Sequence, residues 1–569
     1  MINKRINQLR AKFDILNIDG YIVPKNDEYF SEYTQKDRLK YISNFSGSAG
    51  YAILLKKKNY LFVDSRYTIQ AELESKKNFI IEKYENIFNC QLFKNLIIGF
   101  DPKLFTSRQI SNFFLKFNSA KKIDINLVDS IFKKKVLNYK SFYSLKKSII
   151  GETHQKKIKK ISHFLKKNNS DFLFVSSPEN VAWLLNIRGY DNPNSPTPNC
   201  RLLLSNKGNY FIICEKKKLS KLIREKKIKK LQIIEPEMVE LLINKIKGNK
   251  IIVDDKSCSI FYENLFKKKF KVIKKKDPIY LFKSIKNKYE IKNMIKSHIL
   301  DGVALTKFLH WIKIINKRKI TEYEAQKKLE SFRRLNKNYL FPSFNTIAGA
   351  GKNGAIIHYK ADKNNSKRLR KNDIFLCDSG AQYLYGTTDV TRTICFSKPK
   401  KYIKEIFTKV LKGHISIVTA NLNKKFNGKL LDPLARKYLI KSGLDYKHGT
   451  GHGVGYYLNV HEGPQAISKF NTIKFQEGMI LSNEPGFYKK GSFGIRIENL
   501  VYIKKINKKL FFENLTLAPI DKELINLKNL VKKEKDYLFN YHLNVYSKLS
   551  PFLKKDERKW LASFIQHFN

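Results

Sequence analysis

Nowhere in these 569 residues does an apolar run reach the ~18 residues that a membrane-spanning helix requires. The opening stretch, MINKRINQLRAKF, alternates polar and apolar residues at helical spacing and lacks the apolar core of a secretory signal. Together these absences predict a soluble, unexported chain. Cysteine is sparse as well: Cys90, Cys200, Cys214, Cys258, Cys377 and Cys395 are scattered with no CxxC pair, which excludes a disulfide framework and a zinc ribbon. A reducing cytoplasm fits that pattern. Nucleotide loops are also missing. Around Gly349-Ala-Gly-Lys-Asn the glycine that a phosphate loop needs is Thr346, and Asn353 replaces the Ser or Thr after its lysine. In Gly449 to Gly455, Val454 stands where a dinucleotide fingerprint needs its last glycine.

Acidic residues are few, 50 against 111 Lys and Arg, which leaves a formal charge of +61. Such a charge alone points to nucleic acid or an anionic membrane surface. Its distribution points elsewhere. Lysines recur from end to end, at Lys56–Lys58, Lys133–Lys135, Lys216–Lys218 and Lys274–Lys276, amid abundant Asn, Ile, Phe and Tyr. That is a drift of overall composition, and it predicts a lysine-coated surface that attracts anions weakly, with no specific nucleic acid and no membrane as partner.

What is present is ample core material: 42% hydrophobic residues and 13% aromatics, in a chain long enough for three or four units. Two segments of the first half echo one another. Asp19-Gly-Tyr-Ile-Val-Pro, Ile42-Ser-Asn-Phe-Ser-Gly, the run Tyr51 to Leu55 and Tyr60-Leu-Phe-Val recur in order as Asp171-Phe-Leu-Phe-Val-Ser, Leu185-Asn-Ile-Arg-Gly, the run Leu202 to Leu204 and Tyr210-Phe-Ile-Ile. Short apolar runs bounded by Gly, Pro or Asn are strand signals, so two related α/β domains are expected at 1–150 and 151–285. A third region, 286–510, opens on an amphipathic helix with Ile291, Met294, Ile295, Ile299, Gly302, Leu305, Leu309 and Ile312 on one face. Apolar strands and glycine turns follow. The tail, 511–569, returns to helical periodicity at Leu538, Tyr541, Val545 and Leu549, with Trp560 read as core.

The chemistry concentrates in the third region. Asp373-Ile-Phe-Leu-Cys-Asp-Ser-Gly reads as a strand whose alternation breaks at Asp378, and after a turn at Gly386 the returning strand carries Asp389. His448-Gly-Thr-Gly-His-Gly-Val-Gly sets His452 among glycines that let the backbone approach something closely. Glu484 follows the apolar Ile480-Leu-Ser-Asn. In Gly494-Ile-Arg-Ile-Glu-Asn-Leu-Val, Arg496 and Glu498 share one face of an alternating strand, a face expected outside unless something inside needs it. Taken singly these are turn acids and a satisfied histidine. Taken together they are four carboxylates and one imidazole, each on or beside a strand, and four buried carboxylates cannot all stay ionised without cations. Two divalent ions neutralise them, and oxygen-rich ligation with one imidazole favours Mn²⁺-like metals. A hydroxide held between two such metals is a nucleophile available at neutral pH, so the expected activity is hydrolysis.

In this order the motifs resemble the pita-bread metallopeptidases of family M24, and within them the three-domain cytosolic type of Xaa-Pro aminopeptidase (aminopeptidase P). The likeness runs through Tyr41-Ile-Ser-Asn-Phe-Ser-Gly-Ser-Ala-Gly, Val63-Asp-Ser-Arg-Tyr, Trp183-Leu-Leu-Asn-Ile-Arg-Gly-Tyr-Asp, Asn353-Gly-Ala-Ile-Ile-His-Tyr and Tyr541-His to Trp560-Leu. It implies two creatinase-like α/β domains before a pita-bread catalytic domain and a helical tail. It implies that Asp389 and Glu498 bridge two metals, that Asp378 holds one and that His452 and Glu484 hold the other. Glu484 would also handle the proton of the attacking water, His461 would steady the developing oxyanion, His358 would line the site near the proline, and Arg496 would orient ligands. Peptides with proline at the second position are the implied substrates and a homodimer the implied assembly. A prolidase with the same ligands, or a binding module that kept the fold and lost the chemistry, are the alternatives. His448 receives no role.

Overall fold

The computed structural model describes residues 2–89, 93–114, 120–132, 140–315, 319–364 and 366–568; Cys90 and Lys133–Lys135 lie outside them. The chain forms two compact units, Met1–Tyr280 and Leu281–Asn569. Among the described residues, no helix is long and apolar enough to cross a membrane, and Cys200, Cys214, Cys258, Cys377 and Cys395 are all buried free thiols.

The first unit realises the sequence echo as two sheets of one topology. In the first sheet the order is Ile80–Lys83, Asn59–Val63, Tyr51–Leu55, Gly20–Pro24, Ile98–Phe100, Ala120–Lys122. In the second it is Ile233–Ile234, Tyr210–Ile213, Arg201–Ser205, Phe172–Val175, Lys250–Val253, Lys271–Lys274. The three central strands of each pair antiparallel and the flanking strands parallel. Strands such as Gly20–Pro24 and Phe172–Val175 are buried throughout, which is why they read as continuous apolar runs rather than alternating ones.

The second unit begins with the helix Lys288–Ile314, started by a capping box in which Asn287 Oδ1 accepts from the backbone of Tyr289 and Glu290 while Glu290 accepts from Asn287 N–H. Met294, Gly302, Leu305, Leu309 and Ile312 are buried as the periodicity predicts, whereas Ile295 is exposed. Ile347–Ala350, Ile374–Ser379 and Val390–Cys395 form a three-stranded sheet. A five-stranded sheet runs Glu462–Ile467, Gly451–Gly453, Ile480–Asn483, Asn499–Ile506, Lys509–Asn514. Three further helices, Glu322–Arg334, Lys401–Val418 and Gly428–Ile440, occupy a region where the sequence announces mainly strands and turns.

The tail packs as helices Lys532–Leu549 and Lys555–Gln566, burying Leu538, Tyr541, Val545 and Leu549. Trp560 is partly buried, against the rings of His310 and Phe564. One side chain ties this tail to the strands below. Arg392, fully buried on Val390–Cys395, donates to Tyr541 OH at 2.9 Å, to the carbonyls of Ala518 and Pro519 at 2.9 and 3.0 Å, and to the carbonyls of Thr391 and Glu498 at 2.8 Å each. A buried guanidinium held by oxygens of fixed geometry sets the distance between these segments. Arg392 thereby braces the strand that Asp389 precedes.

Candidate metal centre

Asp378 sits on Ile374–Ser379, directly across from Thr391 on Val390–Cys395, and Asp389 immediately precedes that second strand. Antiparallel pairing therefore brings both acids to one end of the sheet. His452 lies on the short strand Gly451–Gly453, and the flanking glycines are required by close approach. A Cβ at Gly451 would stand 1.9 Å from the Ser482 carbonyl oxygen, and one at Gly453 would stand 2.3 Å from that of Glu462. The neighbouring strand Ile480–Asn483 delivers Glu484 at its end. Glu498 lies inside, the case the sequence reserved for a face that something inside needs. The strand is interrupted at Ile497 and Glu498, and Ile495, Arg496, Ile497 and Glu498 are all buried, so no face is turned outward. The interruption lets the chain leave the hairpin Gly486–Lys489/Phe493–Arg496 and enter the five-stranded sheet.

The side chains converge. His452 Nε2 lies 3.4 Å from Asp389 Oδ2 and 3.5 Å from Glu484 Oε1. Asp389, His452 and Glu498 each offer a ligand atom within 4.8 Å of the others. Arg496 Nη2 donates to Asp378 Oδ2, whereas Asp378 Oδ1 is buried with no hydrogen-bond partner. His452 Nδ1 donates to the Gly453 carbonyl at 2.8 Å, which leaves Nε2 as the nitrogen whose lone pair faces the carboxylates.

The electrostatics show what this geometry lacks from the protein alone. Burial lifts Asp378, and although Arg496 opposes the rise, the negative Asp389 adds to it, giving a pKa of about 6. Burial together with Asp389, Glu484 and Asp378 pushes Glu498 well above the carboxylate range. Burial disfavours the charged form of His452, yet its hydrogen bond to Asp389 and the charges of Glu484 and Asp389 outweigh that and raise it to about 9. Without cations the cluster retains protons to relieve its own repulsion. An orphaned carboxylate oxygen, a lone pair on Nε2 and four converging acids fit divalent cations.

His461 joins this cluster, its ring centroid 4.3 Å from that of His452. His358 lies in the turn that follows Gly351–Ala355, a segment packed on the strand Phe493–Arg496. Sequence reasoning passed over Thr391 and Tyr488. Thr391 Oγ1 donates to Glu498 Oε2 at 2.8 Å and accepts from Arg496 Nε at 3.1 Å, and Tyr488 OH accepts from Arg496 Nη1 at 2.6 Å. The available signal was period two, which puts Thr391 on the same strand face as Asp389. His448 also finds a place: its Nε2 lies 2.9 Å from Tyr488 OH. A second acidic group, Cys395, Asp521 and Glu523, is already served by a cation, since Lys313 Nζ lies 2.8 Å from Asp521 and 3.1 Å from Glu523.

Residues 292–505, which hold the whole cluster, match metallopeptidase family M24, and residues 508–568 match the C-terminal region of that family. Residues 5–129 and 133–290 each match a creatinase/prolidase N-terminal domain. A Dictyostelium discoideum protein named Xaa-Pro aminopeptidase 1 is 36% identical, over 99% of this chain and 96% of that protein. The chain belongs to metallopeptidase family M24. A second M24 relative, from Laccaria bicolor and named a probable Xaa-Pro aminopeptidase P, is 35% identical over 98% of this chain and 92% of its own. Among solved structures, the X-prolyl aminopeptidase of Caenorhabditis elegans, described as a cytosolic enzyme with a di-nuclear active site, superposes with a TM-score of 0.91 at 30% identity, covering 99% of both chains. The prolidase of Pyrococcus horikoshii gives a TM-score of 0.53 at 26% identity and covers 64% of this M24 chain and 99% of its own.

Proposed function

We propose that this M24 chain is a metal-dependent aminopeptidase that releases the N-terminal residue of peptides with proline at the second position. The observation that carries the reading is the convergence of Asp378, Asp389, His452, Glu484 and Glu498, with the His452 lone pair facing the carboxylates and one Asp378 oxygen buried without a hydrogen-bond partner. The end-to-end likeness to Xaa-Pro aminopeptidases supports the proline preference. In this reading Asp389 and Glu498 would be shared by two divalent ions, Asp378 would help to hold one, and His452 with Glu484 would help to hold the other. Two divalent cations held there, Mn²⁺ by the oxygen-rich ligand set, would supply charge neutralisation and a water acidic enough to attack at neutral pH.

The remaining work falls to the chain's own side chains. Glu484, whose Oε1 is held by Ser482 Oγ at 2.9 Å, takes up the proton of the attacking water. His461 donates to the scissile carbonyl oxygen as negative charge develops on it. Arg496 holds Asp378 in place from behind. His358 borders the space for the proline ring. The bond before proline has no N–H and a fixed φ, so a protease that grips its substrate as an extended strand loses a hydrogen bond and meets a clash. A site that grips the free amine at a carboxylate-rich centre avoids both. A cytosolic location, as described for the nematode enzyme, and a homodimer complete the proposal.

Metal-stripped protein resupplied with Mn²⁺ is expected to cleave an Xaa-Pro-Yaa tripeptide at least about tenfold better in kcat/KM than an Xaa-Pro dipeptide or a Met-Ala peptide. Preference for the dipeptide would make the chain a prolidase. Preference for Met-Ala would remove proline from the account.

A further inference from the structure

Glu322 belongs to no part of the cluster, yet it is fully buried and acts on a single loop. It opens the helix Glu322–Arg334, with its side chain directed to residues 350–367. Oε1 accepts from Ala350 N at 2.7 Å and from Asn353 Nδ2 at 3.0 Å. Oε2 accepts from Asn353 Nδ2 at 3.0 Å, Tyr359 OH at 2.7 Å and Lys367 N at 2.9 Å. Its own backbone N–H donates to the Lys367 carbonyl at 2.9 Å. Among the described residues no lysine or arginine side chain pairs with it; the nearby Lys367 ammonium goes to Asp373 at 2.8 Å. A wholly buried carboxylate is thus solvated by N–H and O–H donors from one stretch of chain.

Those donors bracket His358. Asn353 precedes it, Tyr359 follows it directly, and Ala350 and Lys367 mark the two ends of the stretch. The stretch is also referenced to the metal cluster, because a Cβ at Gly494 would stand 1.7 Å from the Gly354 carbonyl oxygen. Gly494 is on the strand that carries Arg496 to Asp378. The loop therefore has a close seat beside the cluster and one carboxylate that fixes its ends and its middle.

We propose that Glu322 is a positioning residue for proline recognition: its carboxylate holds Ala350, Asn353, Tyr359 and Lys367 so that His358 borders the proline ring of the substrate. The proposal rests on the role assigned to His358 above. Only a carboxylate can fill this place. In Glu322→Gln the volume is kept, but whichever way the amide turns, the N–H of Ala350 or that of Lys367 faces an NH₂ group instead of an acceptor.

Glu322→Gln in the full-length, Mn²⁺-loaded protein is expected to raise KM for Xaa-Pro-Yaa by about tenfold, the scale of one buried hydrogen bond lost, with a smaller change in kcat. Preference for proline over alanine at the second position should fall with it, and the bound Mn²⁺ should be unchanged. Should Glu322→Gln fail to fold, Tyr359→Phe, which removes one donor, is expected to move KM the same way by about threefold. A variant of either kind that lowers thermal stability or the active fraction, with KM and the proline preference unchanged, overturns the proposal. A double-mutant cycle adds a direct test: Glu322→Gln in a His358→Ala background should add little, whereas independent, multiplying effects overturn it. His358→Ala that leaves kcat/KM and the proline preference intact also overturns it, while leaving the metal-dependent aminopeptidase reading standing.

Discussion

Asp389→Asn is expected to lower kcat/KM on an Xaa-Pro-Yaa tripeptide by about 10³-fold or more while the protein remains folded. Asparagine matches aspartate in shape, so the packing around a residue that is 4% exposed survives. What is lost is one of four negative charges and the carboxylate oxygen 3.4 Å from His452 Nε2. Three carboxylates balance two dications poorly, and an amide is a much weaker ligand for a hard cation than a carboxylate. The same change relieves repulsion in the metal-free state, where Asp389 contributes to lifting both Asp378 and Glu498. Because the variant also loses the interaction that raises His452, the two effects oppose each other: the metal-free variant should melt close to metal-free wild type, and Mn²⁺ should raise its melting temperature less. Kinetics, metal content and thermal melts on the two proteins check this. Residual activity above about a tenth of wild type would remove Asp389 from the centre.

Metal removal is expected to destabilise the protein increasingly as pH rises. In the metal-free state Asp378 is raised from 3.8 to about 6, His452 is raised from 6.5 to about 9, and Glu498 is raised well above 4.5. All three folded-state values exceed the unfolded ones, so each contribution is fully present below the unfolded pKa and is lost as pH climbs through the folded one. The windows are 3.8 to about 6 for Asp378, 6.5 to about 9 for His452, and from 4.5 upward for Glu498. A tenfold difference in proton affinity between folded and unfolded chain corresponds to about 1.4 kcal/mol, and all three shifts act in the same direction. Mn²⁺ competes with these protons, and its stabilising increment grows as they leave. The rest of the +61 charge titrates alike with and without metal, so the difference isolates the cluster. Melting temperatures with chelator and with Mn²⁺ should diverge between about pH 5.5 and about pH 8.5; parallel curves would contradict the account.

The cluster was legible in the sequence because acids interrupt apolar strands at Asp378, Glu484 and Glu498, and charge neutralisation links signals that are weak one by one. The paired sheets were legible because their fully buried strands leave continuous apolar runs, such as Phe172 to Val175. Other features depend on partners remote in sequence. The helix Gly428–Ile440 starts at a glycine and contains Pro433, two signals that argue against a helix locally. It starts there because a Cβ at Gly428 would stand 1.8 Å from the Ala466 carbonyl oxygen, which no local pattern reveals. Glu322 reads in the sequence as an ordinary acid in a helical first turn, and only the return of residues 350–367 shows what it holds. The break in the strand at Ile497 and Glu498 was likewise hidden, since the apolar–polar alternation runs through it without a signal.

Anomalous diffraction from crystals grown with Mn²⁺ tests the central claim most directly. Two peaks about 3.5 to 4 Å apart are expected, both in contact with Asp389 and Glu498, one also with Asp378 and the other with His452 and Glu484. A single peak within the cluster, or none there while Mn²⁺ still supports turnover, would contradict a two-metal centre.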